Sequence, residues 1–228
     1  MIRAVVFDID GTLQDWETMI DRALEALAPD VPPAHRDGLA QRLRATLEEQ
    51  AFVRREGIVV ERNHWLLLAD PVPLWRAALP GADAGVVEGV ANRCRALLRA
   101  APYPDAQPAL KSLQGRYAIG ALSNSPYADR WLADLGLREH FATVVATEEG
   151  WRKPHPEGFQ RVCEELRVNA GEAVYVGDGL VNDVEGALSA GLASVWIDRY
   201  DERHPLPKGA HRIASLVELE ALLAEFVR

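Results

Sequence analysis

Short apolar runs alternate with amphipathic segments from residue 101 to the end of the chain. Four of these runs are predicted as strands: Tyr117–Leu122, Thr143–Ala146, Ala173–Val176 and Ser194–Ile197. Three amphipathic segments between them are predicted as helices: Pro126–Leu135, Pro156–Arg167 and Val181–Ala190. Strands that alternate with helices form βαβ units, so this part of the chain is expected to build a mostly parallel sheet.

Capping residues support the helix assignments. Pro156 stands in a first turn, where a helix loses no amide donor. Gly191 follows the third helix as an expected left-handed cap. Ser215 is followed three residues later by Glu218, a spacing that predicts a capping box at the start of a last helix.

Residues 15–99 follow a different pattern, with apolar residues at helical spacing and no convincing strand. One apolar stripe contains Leu39, Leu43, Leu47 and Val53. Another contains Val86, Val87, Val90, Ala91, Cys94, Leu97 and Leu98. We therefore predict an α/β fold with a Rossmann-like parallel-sheet core, formed by residues 1–14 and 100–228, and an inserted all-α cap of residues 15–99.

The first strand candidate ends abruptly in two carboxylates. Residues 5–13 read Val-Val-Phe-Asp-Ile-Asp-Gly-Thr-Leu, so that Asp8 and Asp10 lie two positions apart on one face of an extended strand. Two like charges side by side are unfavourable unless a cation or a shared proton relieves them. For a bare Asp-x-Asp pair, two solvated aspartates at a strand end are the simpler interpretation, and three later motifs argue against it.

These later motifs place polar side chains after further strands. Ser123 and Asn124 follow one strand, where they can donate to an anion or cap a helix. Lys153 lies in a loop, as a solvated residue or as a point charge suited to phosphate. Asp178 follows another strand, and Asp183 lies at the start of the next helix, where it can also act as a cap.

The positions of these residues matter more than any one of them. Five of them lie at or just beyond the carboxyl ends of predicted strands: Asp8, Asp10, Ser123, Lys153 and Asp178. That is the edge where open α/β sheets bind ligands. Clustered carboxylates suit Mg²⁺, and a hydroxyl, an amide and a lysine suit the oxygens of a phosphate. Together they predict phosphoryl transfer.

Composition and charge restrict the classes of partner and the location that are expected for this protein. The net charge of −9 argues against a nucleic-acid partner, and an anionic substrate would require a bound cation to invert the local potential. No run of about 18 apolar residues occurs, so no membrane span is expected. The N-terminus lacks the pattern of a signal peptide, and the two cysteines, Cys94 and Cys163, are interpreted as reduced thiols of a cytoplasmic protein.

In order and spacing, the motifs resemble those of the haloacid dehalogenase-like superfamily, in the phosphatase branch that carries a helical cap after the first motif. The matching segments are Asp8-Ile-Asp10-Gly11-Thr12, Leu122-Ser123-Asn124, Lys153-Pro154, and Gly177-Asp178 with Asp183. The resemblance implies an enzyme that hydrolyses a small phosphorylated metabolite with Mg²⁺ through an aspartyl-phosphate intermediate.

The resemblance also implies roles for the acidic residues. Asp8 would be the nucleophile. Asp10 would be the general acid for the leaving oxygen and then the base for the attacking water. Mg²⁺ would be held by a carboxylate oxygen of Asp8, the backbone carbonyl of Asp10 and a carboxylate oxygen of Asp178.

The remaining matched residues would bind phosphate or orient the site. Ser123 and Lys153 would bind the phosphoryl oxygens, and Asn124 would help at the same place. Thr12 would orient the first loop, and Asp183 would act through water.

Three alternatives stay open from the sequence. A dehalogenase of the same fold would lack the second aspartate, so Asp10 argues against it. A phosphomutase would need the cap to return the phosphoryl group to a sugar, and the sequence gives no support for or against this. A catalytically silent binding or regulatory protein would tolerate loss of Asp8 or Asp10, yet both are present.

Aromatic and cationic residues in the inserted segment allow two interpretations. They form either a substrate pocket with aromatic walls or the cap's own core and solvated surface. The residues concerned are Trp16, Arg54, Arg55, His64, Trp65 and Trp75. The identity of the substrate and the oligomeric state do not follow from the sequence.

Overall fold

The structure is a computed structural model, and it describes residues 1–15, 24–55, 58–62, 71–97, 101–147, 151–202 and 204–226. The chain divides into two compact units. Met1–Asp15 with Ala100–Arg228 form the unit that we call the core, and Trp16–Arg99 form the unit that we call the insert. None of the described helices is long and apolar enough to cross a membrane.

The strands and helices are numbered in chain order over the described ranges. The strands are β1 (Ala4–Phe7), β2 (Gln14–Asp15), β3 (Phe52–Arg55), β4 (Ile58–Arg62), β5 (Ala101–Pro102), β6 (Ala118–Ser123), β7 (Thr143–Ala146), β8 (Ala173–Gly177), β9 (Ala193–Ile197) and β10 (Ala210–Ile213). The α-helices with described ends are α1 (Leu39–Ala51), α2 (Val72–Ala78), α3 (Ala84–Leu97), α4 (Ala106–Leu113), α5 (Ala128–Asp134), α6 (Pro156–Leu166), α7 (Gly186–Ser189) and α8 (Leu219–Glu225).

Six strands of the core form one sheet in the order β10-β9-β8-β1-β6-β7, and every neighbouring pair is parallel. Strands β1 and β8 are buried at every position. A strand that is buried on both faces carries a nearly continuous apolar run, which is why these strands could be recognised in the sequence. The prediction of a Rossmann-like α/β core is confirmed.

Helices cover both faces of this sheet. One apolar cluster joins Phe7 of β1 to Leu110 of α4 and Leu132 of α5. A second cluster joins Val6 of β1 to Phe159 of α6. The two clusters alternate along β1 because successive side chains of a strand point to opposite faces.

Most of the predicted helix ends agree with the structure. Helix α6 begins at Pro156, and Arg167 follows it in the left-handed region with φ 58°. Gly191 has φ 87°, as expected of a left-handed cap. The side chain of Glu218 accepts the backbone N–H of Ser215 at 3.1 Å, which completes the predicted capping box.

The predicted helix Val181–Ala190 is wrong in its first half. Leu180–Glu185 form a π-helical turn, and the α-helix is confined to Gly186–Ser189. A Cβ added to Gly186 would lie 2.9 Å from the ring of Phe159, so the backbone approaches α6 closely at this point. Apolar periodicity does not separate a short π turn from an α-helix, and such turns are frequent at functional sites.

The insert contains helices α1, α2 and α3 and also an antiparallel hairpin of β3 and β4. The all-α prediction is therefore wrong for this hairpin. The helical stripe was expected to continue to Val53, but α1 ends at Ala51. The β-branched run Ile58-Val59-Val60 favours extended backbone, which accounts for β4.

Trp75 belongs to the interior of the insert. Its side chain on α2 is fully buried. Burial raises the pKa of Cys94 on α3 to about 11, and the nearby Trp75 side chain opposes this rise. Trp75 is thus a packing residue of the insert and not the wall of an open pocket. The other candidates, Trp16, His64 and Trp65 and the side chains of Arg54 and Arg55, lie outside the described residues.

Candidate active site

The core sheet brings the carboxyl ends of three strands side by side, because β1 lies between β6 and β8. Asp8 follows β1, Ser123 is the last residue of β6, and Asp178 follows β8. Phe7 is in register with Ala121 on one side and with Val176 on the other, so the three strands end at the same level. The structure therefore brings these predicted site residues to one edge.

Lys153 is the centre of the site. Its ammonium donates hydrogen bonds to Asp8 Oδ1 at 2.6 Å, to Asp183 Oδ1 at 2.7 Å and to the Tyr175 hydroxyl at 2.9 Å. The side chain is 3% exposed. An ammonium has three N–H donors, and here each has an acceptor, so that the buried charge is fully hydrogen-bonded.

Electrostatics at this centre are dominated by an excess of carboxylates. Burial alone would lower the pKa of Lys153, but the neighbouring charges and hydrogen bonds of Asp183 and Asp8 raise it overall. The pKa of Asp8 is raised well above its ordinary value by burial, although Lys153 acts in the opposite direction, and the charges of nearby carboxyls, including Asp178 and Asp10, raise it further. One ammonium thus faces four carboxyl groups, a balance that favours an additional cation.

Three of these carboxyl groups could hold a metal ion. One oxygen from each of Asp8, Asp178 and Asp183 lies within 4.8 Å of the other two. Oxygen ligands of this kind suit a hard cation such as Mg²⁺. The donor set therefore fits the predicted cofactor.

The first loop passes very close to Asp178. Gly11 has φ 75°, and a Cβ at this position would lie 2.3 Å from Asp178 Oδ2. Both the backbone conformation and the lack of space require glycine here. On the other side, the indole N–H of Trp196 donates to the backbone carbonyl of Asp178 at 2.9 Å. Asp178 is therefore held between two segments of the core.

Asp183 is engaged by donors from the protein. Its Oδ1 accepts from Lys153 at 2.7 Å and is 3.2 Å from the Tyr175 hydroxyl, while its Oδ2 accepts the backbone N–H of Gly179 at 2.8 Å. A Cβ on Gly177 would lie 2.4 Å from the Asp183 carboxyl carbon. Because both oxygens already accept hydrogen bonds, an indirect role such as the predicted one is easier to accommodate than direct ligation.

Asn124 contacts the backbone of the lysine loop. Its Oδ1 accepts from the Lys153 N–H at 2.7 Å and from the Thr147 hydroxyl at 2.8 Å, and its Nδ2 donates to the Lys153 carbonyl at 3.2 Å. The Asn124 side chain thus holds the backbone of the loop at Lys153. Ser123 is buried, and its Oγ accepts from Ser125 N–H at 3.1 Å, which leaves the hydroxyl proton to donate.

Asp10 lies in a different environment from Asp8. The residue is half-buried, and its Oδ1 accepts a hydrogen bond from the side-chain amide of Gln14. Burial raises its pKa to about 7, against the opposing effect of the Gln14 bond, and the charge of Asp178 contributes to the rise. A carboxyl group with this pKa can both give and take a proton near neutral pH.

Thr12 is fully buried in the first loop. Its backbone carbonyl accepts from the guanidinium of Arg199 at 2.7 Å, and that guanidinium also forms two bonds to Asp105 at 3.0 and 3.1 Å. The ring of Tyr103 lies 3.7 Å from the same guanidinium carbon. An arginine from the far end of the chain thus fixes the loop that Thr12 was predicted to orient.

Three residues of the site have no counterpart in the sequence prediction: Gln14, Tyr175 and Arg199. Tyr175 carries a weak signal, because it is the one residue with a polar side chain in strand Ala173–Gly177. Gln14 directly follows the first motif, but glutamine is not a residue type that by itself indicates this chemistry. Arg199 is distant in sequence from the loop that it contacts, so no local pattern could reveal it.

The fold and the site define an α/β enzyme with an acidic, lysine-containing centre at the carboxyl edge of a parallel sheet. A family model of haloacid dehalogenase-like hydrolases matches residues 2–191, and the chain belongs to this family. The predicted family is therefore confirmed.

Named relatives specify the class of reaction. The chain is 33% identical to a glyceraldehyde 3-phosphate phosphatase of Methanopyrus kandleri over 215 residues, which are 90% of this chain and 88% of that protein. It is 42% identical to an N-acylneuraminate-9-phosphatase of Mus musculus over 86 residues, which are 36% of this chain and 34% of that protein. The prediction of a phosphoric monoester hydrolase is confirmed.

Solved structures with the same fold include both phosphatases and dehalogenases. The structure of a HAD phosphatase from Thermococcus onnurineus matches with a TM-score of 0.66 at 28% identity, covering 97% of this chain and 98% of that one. A 2-haloacid dehalogenase from Pseudomonas syringae matches with a TM-score of 0.62 at 25% identity, covering 99% and 100%.

Proposed function

We propose that this enzyme hydrolyses a small phosphate monoester with the help of Mg²⁺, through a phosphorylated Asp8. The observation that supports this most directly is the 2.6 Å bond from the buried Lys153 ammonium to the Asp8 carboxylate, inside an acidic cluster at the edge of the sheet. Burial favours the neutral form of Asp8, and a neutral carboxyl is a poor nucleophile. The Lys153 charge opposes this effect and helps to keep Asp8 ionised for attack.

The reaction has two half-reactions. In the first, a carboxylate oxygen of Asp8 forms a bond to phosphorus while the bond from phosphorus to the ester oxygen breaks. Asp10 gives its proton to that oxygen, which leaves as an alcohol. In the second, water attacks phosphorus and gives a proton to Asp10, and the bond to Asp8 breaks to release inorganic phosphate.

Mg²⁺ would be held by carboxylate oxygens of Asp8 and Asp178 and by the backbone carbonyl of Asp10. When bound, the ion supplies positive charge that offsets the repulsion between these carboxylates and a phosphate. The fit rests on the carboxylate oxygens of Asp8 and Asp178, which lie within 4.8 Å of each other, and on the excess of carboxyl groups over the single Lys153 ammonium.

Phosphate would be bound by the Ser123 hydroxyl and the Lys153 ammonium. Since all three Lys153 donors already have acceptors, a phosphoryl oxygen must replace one of them. The bond from Lys153 to Asp8 is the one expected to be replaced, because the Asp8 carboxylate loses its negative charge when it becomes bonded to phosphorus. Asn124, which bonds the backbone of Lys153, would keep the lysine in place during this exchange.

The relatives support a proposal for the substrate class. They act on phosphate esters as different as glyceraldehyde 3-phosphate and N-acylneuraminate 9-phosphate, so we propose a small phosphorylated metabolite without choosing between them. The insert, residues 16–99, is proposed as the cap that selects the leaving group, while the core performs the chemistry.

A phosphate-release assay tests this function. The purified protein is given glyceraldehyde 3-phosphate, N-acylneuraminate 9-phosphate, a pyrimidine 5′-nucleotide and p-nitrophenyl phosphate, each with Mg²⁺ or with excess chelator. We expect release from p-nitrophenyl phosphate and from at least one metabolite, with Mg²⁺ only. Full activity in chelator would contradict the metal assignment. Halide release from a 2-haloacid, without phosphate release from any ester, would instead indicate a dehalogenase.

A further inference from the structure

We propose that Gln14 is a positioning residue for the proton transfer. It fixes Oδ1 of Asp10 as a hydrogen-bond acceptor and so makes Oδ2 the oxygen that gives and takes the proton. This inference deepens the proposed function and depends on it, because it assigns atoms within the role of Asp10.

The backbone of Gln14 is tied to the same loop as Asp10. The Gln14 N–H donates to the carbonyl of Ile9 at 3.0 Å, and its own carbonyl accepts from Gly11 N–H at 3.1 Å. Strand β2 also pairs Gln14 with Pro102. The amide that reaches Asp10 therefore starts from a backbone that is fixed on both sides.

The side chain of Gln14 is 1% exposed, and its Nε2 donates to Asp10 Oδ1. No other described residue donates a hydrogen bond to the Asp10 carboxyl. An oxygen that accepts an N–H bond is the carbonyl-like oxygen of a neutral carboxylic acid, and so the acidic proton lies on the other oxygen. After the proton has left, the same N–H still bonds Oδ1, and the carboxylate keeps its orientation for the second half-reaction.

The carbonyl oxygen of the Gln14 amide indicates that this residue serves function and not stability. Its Oε1 is buried and has no hydrogen-bond partner within the part of the chain that the structure describes. An unpaired buried amide oxygen costs stability. A methionine of similar length would fill the same space and remove this cost, while also removing the N–H donor to Asp10 Oδ1. The amide therefore contributes chiefly through that donated bond.

The experiment compares Gln14→Met with the parent on two esters, an alkyl phosphate and p-nitrophenyl phosphate. An alkoxide leaves poorly unless it is protonated, whereas nitrophenolate leaves well without a proton. General acid catalysis typically contributes a hundredfold or more. We expect kcat/KM to fall roughly tenfold or more on the alkyl ester and to stay within about threefold on the aryl ester, since the misplaced acid retains part of its effect.

Two further readouts separate positioning from simple damage to the fold. The melting temperature of Gln14→Met should stay close to that of the parent, because removal of an unpaired amide oxygen offsets loss of the bond to Asp10. Release of nitrophenol by Gln14→Met should show a burst, because Asp10 must still activate water after the alcohol has left. Gln107→Met, a change at an exposed position of α4, is the matched control and should leave both activities unchanged.

Equal losses on the two esters together with a lower melting temperature would overturn the positioning role, and so would unchanged activity on the alkyl ester. If Gln14→Met does not fold, Gln14→Leu is measured with the same criteria. A parent protein that releases phosphate from neither ester would overturn the proposed function and this assignment with it. If the parent is active on both esters, the proposed function stands and the result for Gln14→Met tests the role of Gln14 alone.

Discussion

Two carboxyl groups of the core, those of Asp8 and Asp10, lie two residues apart in the chain but in different surroundings. Asp8 is buried against a charged ammonium, and that ammonium is in turn bonded to Asp183 and Tyr175. Asp10 is half-buried and accepts a hydrogen bond from the uncharged side-chain amide of Gln14. Burial raises the pKa of both carboxyl groups, but only Asp8 has the Lys153 ammonium within hydrogen-bond distance to oppose that rise. This difference fits the two proposed tasks, since a nucleophile needs its charged form favoured and a general acid must be able to change its protonation state.

The first prediction separates the two carboxyl groups by their chemistry. Asp8→Asn should reduce kcat at least about a thousandfold on alkyl and aryl phosphates alike, because an amide of the same shape cannot serve as the nucleophile. Asp10→Asn should lower kcat/KM about a hundredfold on the alkyl ester and much less on p-nitrophenyl phosphate. The measurement is steady-state kinetics on both esters.

For Asp10→Asn the contrast between the two esters is its own control, because a misfolded variant would lose both activities together. For Asp8→Asn, which should lose both, a circular dichroism spectrum like that of the parent shows that the fold is intact. Asp8→Asn activity within tenfold of the parent would contradict the covalent role. Equal losses on the two esters for Asp10→Asn would remove the distinction between the carboxyl groups.

The second prediction concerns stability at Lys153. Lys153→Met leaves Asp8 and Asp183 buried without their counter-charge, and we expect the free energy of unfolding to fall by about 3–5 kcal/mol. Urea denaturation in the presence of a chelator measures the loss without a contribution from bound metal. Lys111→Met, at an exposed position of α4, is the control and should change stability little. A Lys153→Met protein as stable as the parent would show that the ion pair does not hold the site together.

The parts of the fold that could be predicted are those set by local pattern. Strands such as Ala173–Gly177 are buried on both faces and carry uninterrupted apolar runs. Edge strand β10 is short and reads Ala-His-Arg-Ile, which is typical of a sheet edge but gives little signal. The pair β2–β5 consists of two residues on each side, which is too short for any periodicity.

The site residues also divide into those that local sequence pattern predicts and those that it does not. Residues that follow a strand, such as Asp8 and Asp178, were predictable because parallel strands end at one edge of the sheet. The Asn124 contacts were not, since the partner backbone at Lys153 lies 29 residues away. The role of Gln14 depends equally on how the first loop folds back on itself.

The third prediction has the smallest expected effect and concerns the third donor of Lys153. Tyr175→Phe keeps the ring, which packs edge-to-face on Phe159 with centroids 4.9 Å apart, but leaves one ammonium N–H without its acceptor. We expect a loss of about 1–3 kcal/mol in the free energy of unfolding. Tyr127→Phe, at an exposed tyrosine, is the matched control. No difference between the two variants would mean that the hydroxyl does not support Lys153.

Asp8 is proposed to carry the phosphoryl group between the two half-reactions, and trapping that group is the sharpest test of the covalent mechanism. The enzyme is mixed with Mg²⁺ and p-nitrophenyl phosphate, quenched in acid within the first turnover, digested and examined by mass spectrometry. We expect one phosphoryl group on the peptide that contains Asp8, and none in Asp8→Asn or in the presence of chelator. Turnover of the ester with an unmodified Asp8 peptide, or with the phosphoryl group on another residue, would contradict it.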